Sequence, residues 1–206
     1  MFFFAKSDSV LSSVPPSTVP VVILLVSIVA LTIIIERMVF FWNAKALSSE
    51  NIQKLKEALR EKKWEEASDV LKKASTSAAS LVLQVGIEQK RRNSSYILED
   101  METEGFKQVQ LMDRFLSGLS TIATISPLLG VLGTVLGIIR SFAEGAGTKG
   151  AEVGISEALI TTAMGLAVAI PSYIFVNYFN RVKDDRLNEL ENLTNQLSPY
   201  LTGEKK

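Results

Sequence analysis

An uncharged run of 25 residues, 115–139, lies between Arg114 and Arg140 and constrains this chain more than any other feature. About 20 apolar residues suffice to carry a helix across a bilayer. The small and polar positions inside the run are ordered: Gly133 and Gly137 are four apart, and so are Ser126, Gly130 and Thr134. Residues at that spacing stack on one helix face, and small ones let helix backbones approach closely in lipid. Pro127 removes one helical donor and invites a kink near the middle. The stretch predicts a membrane helix over 115–142, packed tightly against others. The Gly133/Gly137 face is the expected contact between subunits.

Two further apolar blocks predict spans over 19–42 and 153–180, the latter with Glu157 as its one charged residue. Pro15, Pro16 and Pro20 keep the chain out of helix until about Val19. Residues 1–18, opening MFFFAK, read as a periplasmic segment that either lies at the interface or is a disordered terminus. Lys6 is the single basic residue ahead of the apolar run and no small-residue cleavage site follows it, so a signal peptide is not expected. Glu36 and Arg37 close the first span and are expected to snorkel, with Phe40, Phe41 and Trp42 as an interfacial aromatic anchor.

Residues 43–114 read as a water-soluble helical region. Ile52, Leu55 and Leu59 recur at helical spacing, as do Trp64, Ala67 and Leu71, which predicts a hairpin of two short helices. A helix resumes over about 81–89. Ser94 or Ser95 then N-caps a helix with no strong stop until after Arg140. That helix would be about 70 Å long at 1.5 Å per residue, with Gly105 its weak point. Residues 143–152 form a glycine-rich turn on the periplasmic side. The tail, 181–206, carries Leu187, Leu190, Leu193 and Leu197 before Pro199 ends it, and is expected to extend the third span into solvent as a helix.

Basic residues set the orientation. Thirteen Lys and Arg fall in 43–114 and five in the tail, against Lys6 alone before the first span and Lys149 alone in the turn. The positive-inside rule puts the central region and C-terminus in the cytoplasm and the N-terminus outside. Composition excludes other classes. A formal net charge of zero offers no polyelectrolyte attraction to nucleic acid, and the absence of cysteine removes disulfides and thiolate metal sites. No metal or cofactor is expected. The chain also has no histidine, so a proton pathway within it can use only carboxylates, hydroxyls and water.

Glu157 is the most informative residue. A carboxylate in the centre of a membrane helix costs several kcal/mol unless it faces protein or water. Thr161 and Met164 lie about 40° and 20° from it around the helix, whereas Thr162 lies about 140° away. Thr134 on the second span is positioned to meet this polar stripe across a helix pair. The alternative keeps the hydroxyls on backbone carbonyls as packing groups and Glu157 in a first helical turn at the interface.

The sequences SPLLGVLGTVLGIIRSF (126–142) and GISEALITTAMGLAVAIPSYIFVNYF (154–179) resemble the MotA/TolQ/ExbB proton-channel family, in its TolQ/ExbB branch. The likeness covers both core helices and extends loosely through the long helix before them. It implies an all-α membrane protein of three transmembrane helices with long cytoplasmic helical extensions, ring-forming and typically pentameric. The ring would surround the helices of a single-span partner resembling ExbD or TolR in a bacterial inner membrane. The threonine of the family's GTV motif falls on Thr134, the glutamate of its EAL motif on Glu157, and the threonine five residues later on Thr162. Its kinking prolines fall on Pro127 and Pro171, and Gly130, Gly133, Gly137 and Gly165 stand at helix-packing positions. The implied role is proton conduction without bond-making catalysis, the titratable carrier being an aspartate of the partner. Output would pass to a TonB- or TolA-like envelope-spanning protein, for outer-membrane uptake or envelope maintenance. The competing reading is a non-conducting membrane scaffold.

Overall fold

A computed structural model describes residue 15 and residues 17–44, 46–74, 76–143 and 149–203. Expectations for residues 1–14 and for 144–148 of the turn fall outside these. Among the described residues are seven helices and no strand: α1 (Thr18–Asn43), α2 (Ser49–Arg60), α3 (Trp64–Lys73), α4 (Ala78–Arg91), α5 (Ile97–Asp113), α6 (Leu116–Ala143) and α7 (Lys149–Thr202). Three helical stretches, Thr18–Asn43, Ile97–Ala143 and Lys149–Thr202, each contain a segment long and apolar enough to cross a membrane. The chain is an all-α membrane protein.

It divides into two compact units: the described part of Met1–Glu36 with Phe115–Tyr178, and Arg37–Arg114 with the described part of Phe179–Lys206. In the membrane unit, Pro20 sits in the first turn of α1, where its missing N–H would be unpaired in any case. Ile23, Ala30 and Ile34 form a buried stripe on this helix, while Leu24, Leu25, Ile28 and Leu31 stay exposed. An apolar helix with one packed stripe and an otherwise bare surface suits lipid.

The second unit is a helical bundle with an apolar core. Ser48 N-caps α2, its side chain accepting from Asn51 N at 3.3 Å. The core joins Leu55 and Leu59 of α2, Ala67 and Leu71 of α3, Leu83 and Ile87 of α4, and Met101 of α5. The end of α7 completes it. Leu190, Leu193, Leu197 and Leu201 recur at three- and four-residue steps and are buried. The tail therefore packs into this core instead of projecting into solvent. Gly86 of α4 allows the contact: a Cβ there would stand 2.5 Å from Met101 Sδ and 2.7 Å from Leu201 Cδ1.

Five other expectations are corrected. The long helix is broken at Arg114 and Phe115. Arg114 turns to ψ 131 and Phe115 takes φ 64, the left-handed region that L side chains seldom adopt. α5 is not capped by Ser94 or Ser95: its N-cap is Tyr96, which makes no side-chain cap bond, and Gly105 lies within the helix without interrupting it. Pro199 does not stop α7, which runs to Thr202 and ends at Gly203 with φ 89. Arg37 does not snorkel. It is 2% exposed, lies 4.4 Å over the Phe40 ring, and donates to Leu111 O at 2.9 Å and Met112 O at 3.4 Å. The last turn of α5 holds no basic residue and leaves carbonyls unpaired, so Arg37 supplies the cation and donors that its sequence lacks. Phe41 is likewise buried, stacked on Phe179 at 5.7 Å, which leaves Trp42, 76% exposed, as the anchor.

Candidate functional site

In the membrane unit, α6 and α7 meet along small residues. A Cβ at Gly165 would stand 2.5 Å from Ser126 O, one at Gly137 2.6 Å from Ala158 Cβ, and one at Gly130 3.0 Å from Thr162 Cα. At Gly133 it would meet the Thr161 methyl, and at Gly154 the Ser141 hydroxyl. Glycine is required here by close approach, as the four-residue spacing indicated. The Gly133/Gly137 face thus makes the close helix contact expected of it, and within one chain that contact is between α6 and α7. Pro127 and Pro171 both lie inside their helices.

Two hydroxyls sit in this contact. Thr134 Oγ1 and Thr162 Oγ1 are hydrogen-bonded to each other, and either can be the donor. Gly130 O lies 3.1 Å from each, and Ala158 O lies 3.4 Å from Thr134 Oγ1. Two protons are shared over these acceptors. One hydroxyl donates to a carbonyl while accepting from the other, and reversing both orientations leaves an equivalent network. Such a pair can reorient and order water without carrying charge.

Glu157 stands apart from it. Its residue is exposed, and no hydrogen bond or ion pair to its carboxylate occurs among the described residues. It lines a cavity of about 430 Å³ with Gly133, Arg140, Lys149 and Thr161, and a second of about 470 Å³ with Ser17, Ile160, Thr161 and Met164. The Glu157, Thr161, Met164 stripe therefore faces one groove. Thr134 does not join that stripe: it meets Thr162, on the other side of α7. Thr161 is 5% exposed and donates to Glu157 O at 2.9 Å, its methyl packing at Gly133. Sequence reasoning missed the contribution of α1, whose Val19 and Pro20 line the first cavity. No signal in that apolar helix marks those positions. Among the described residues no cluster of three or more His, Cys, Asp or Glu could hold a metal.

Comparison with known proteins identifies relatives of the chain. An ExbB-like biopolymer transport protein of Synechocystis is 44% identical over 86 residues, 38% of this chain and 41% of that protein. The biopolymer transport protein ExbB of Salmonella typhimurium is 33% identical over 178 residues, covering 77% of this chain and 70% of its own length. The Tol-Pal system protein TolQ of Haemophilus influenzae is 33% identical over 106 residues, 47% of this chain and 46% of that protein. The matched stretches thus span less than half of the Synechocystis and Haemophilus relatives. A profile described as the MotA/TolQ/ExbB proton channel family matches residues 63–192, more than half of the chain and both helices of the site. With its relatives named ExbB and TolQ, the chain belongs to the MotA/TolQ/ExbB proton channel family, in the TolQ/ExbB branch, and is a multi-pass membrane protein rather than an enzyme.

Proposed function

We propose that this chain is the channel subunit of an inner-membrane motor driven by the proton motive force. Copies of it form a ring, a pentamer on the family pattern, around a single-span partner resembling ExbD or TolR. The N-terminus is periplasmic and the C-terminus cytoplasmic. The observation that carries the reading is the Thr134–Thr162 hydroxyl pair, held between α6 and α7 with Glu157 exposed on the same helix. With no histidine in the chain, the wall can order water but offers no continuous set of titratable relays. The moving carboxylate is then the partner's. Protonation and release of that group at the ring wall would drive motion of the partner, and so of a TonB- or TolA-like protein. Relatives named for biopolymer transport and for the Tol-Pal system support this output class.

The test is reconstitution in liposomes. The subunit alone should pass protons poorly, and co-reconstitution with its single-span partner should switch flux on. Equal flux with and without the partner sinks the reading. One observation favours a scaffold instead: both hydroxyls lie within bonding distance of backbone carbonyls. A scaffold predicts an assembled complex with no flux.

A further inference from the structure

The cavity of about 430 Å³ lies apart from the hydroxyl pair, with neither Thr134 nor Thr162 in its lining. It lies inside one subunit, bounded by the first turn of α1 and by α6 and α7, so it exists before any ring assembles. At its loop-side end are exposed Lys149 and half-buried Arg140, and farther along α7 is Glu157. Eight residues of helix separate Lys149 from Glu157, about 12 Å along the axis. At about 30 Å³ per molecule the volume holds on the order of a dozen waters, and its charged lining gives them partners. Glu157, Pro20 and Thr161 also border the second cavity, which continues along α7 to Met164. Glu157 therefore borders both cavities, as does Pro20 in the first turn of α1.

We propose that the first cavity is an intrasubunit aqueous vestibule through which water and protons reach Glu157 from the α6–α7 loop side. The role given to the protons rests on the channel reading; the water does not. Lys149 places a positive charge at the entrance, which disfavours metal cations while water can still relay protons.

Cysteine accessibility tests this directly, because the chain has no cysteine and each variant carries a single thiol. Val153→Cys and Leu136→Cys place it in the vestibule, and Leu25→Cys, on the exposed surface of α1, lines neither cavity. The thiolate, which forms in water and not in lipid, attacks the sulfenyl sulfur of a methanethiosulfonate reagent and releases methanesulfinate. In the complex reconstituted with its partner, the two vestibule thiols should react at least tenfold faster than Leu25→Cys. An anionic sulfonate reagent should outpace a cationic ammonium one on the order of tenfold, and Lys149→Gln should narrow that preference. Labelling at Val153→Cys should then block proton flux. Vestibule thiols no faster than Leu25→Cys would show the cavity is not aqueous, and full flux after complete labelling would show it is not the access route. If the unmodified complex passes no protons, the channel reading fails, while the labelling rates still decide whether water fills the cavity.

Discussion

Gly165→Ala asks how much of the α6–α7 contact depends on one missing methyl group. The new Cβ would lie 2.5 Å from Ser126 O and 3.0 Å from Gly130 Cα, where ordinary contact begins at 3.4 Å. The first shortfall is 3.4 − 2.5 = 0.9 Å, and both obstacles are backbone, which cannot rotate aside. Overpacking of this kind costs up to about 3 kcal/mol, and the better helix propensity of alanine returns about 1 kcal/mol. The net loss of about 2 kcal/mol lowers the melting temperature by about 4–8 °C for a chain of this size. Gly105→Ala in α5 is the control, since nothing lies within 4 Å of its Cβ. It should melt at or slightly above the wild-type temperature. Thermal unfolding of the detergent-solubilised protein, followed by circular dichroism, measures both. The clash also pushes on Gly130, whose carbonyl serves Thr134 and Thr162, so proton flux per assembled complex should fall too. A Gly165→Ala protein as stable as wild type, or a destabilised Gly105→Ala, would refute the close-approach argument.

Arg37→Met removes the donors from Leu111 O and Met112 O and leaves these carbonyls unpaired; a loss of about 1–3 kcal/mol is expected, read as a lower denaturation midpoint. Arg37→Lys should recover only part of it, because a point charge cannot reproduce the planar fork. Leu197→Ala truncates a side chain with 0% exposure in the core of the second unit and should cost about 2–5 kcal/mol, whereas a tail lying free in solvent would show almost no change. Cytoplasm-specific reporters inserted at exposed Asn93 and after Lys206 should be active, and one at Lys149 silent; activity at Lys149 would overturn the orientation.

The three spans were legible because hydropathy is local: a run without charge must be covered by lipid or protein wherever it lies. The glycine spacing was equally readable, since Gly130, Gly133, Gly137 and Gly165 record close approach in the sequence itself. What that spacing does not encode is which helix approaches, and here it is α7 of the same chain. The break at Phe115 had no signal, because no Gly, Pro or Asn marks it. Arg37 beside a predicted interface reads as a snorkelling cation, and only the fold brings the end of α5 to it. Leu193 and Leu197 showed an amphipathic tail but not the surface it would cover. At the site, Thr134 and Thr162 were singled out by resemblance. Their meeting away from Glu157 follows from the helix pairing, which no spacing along one helix can show.

The most direct test of the pathway is proton uptake into liposomes by the complex with its partner, normalised to intact assembly, for Thr134→Val, Thr162→Val and Glu157→Gln. Valine keeps the volume of threonine but removes the hydroxyl, and glutamine keeps the size of glutamate without its titration. All three variants are expected to assemble normally and to lose proton flux. Full flux in the Thr134→Val and Thr162→Val complexes would contradict the account.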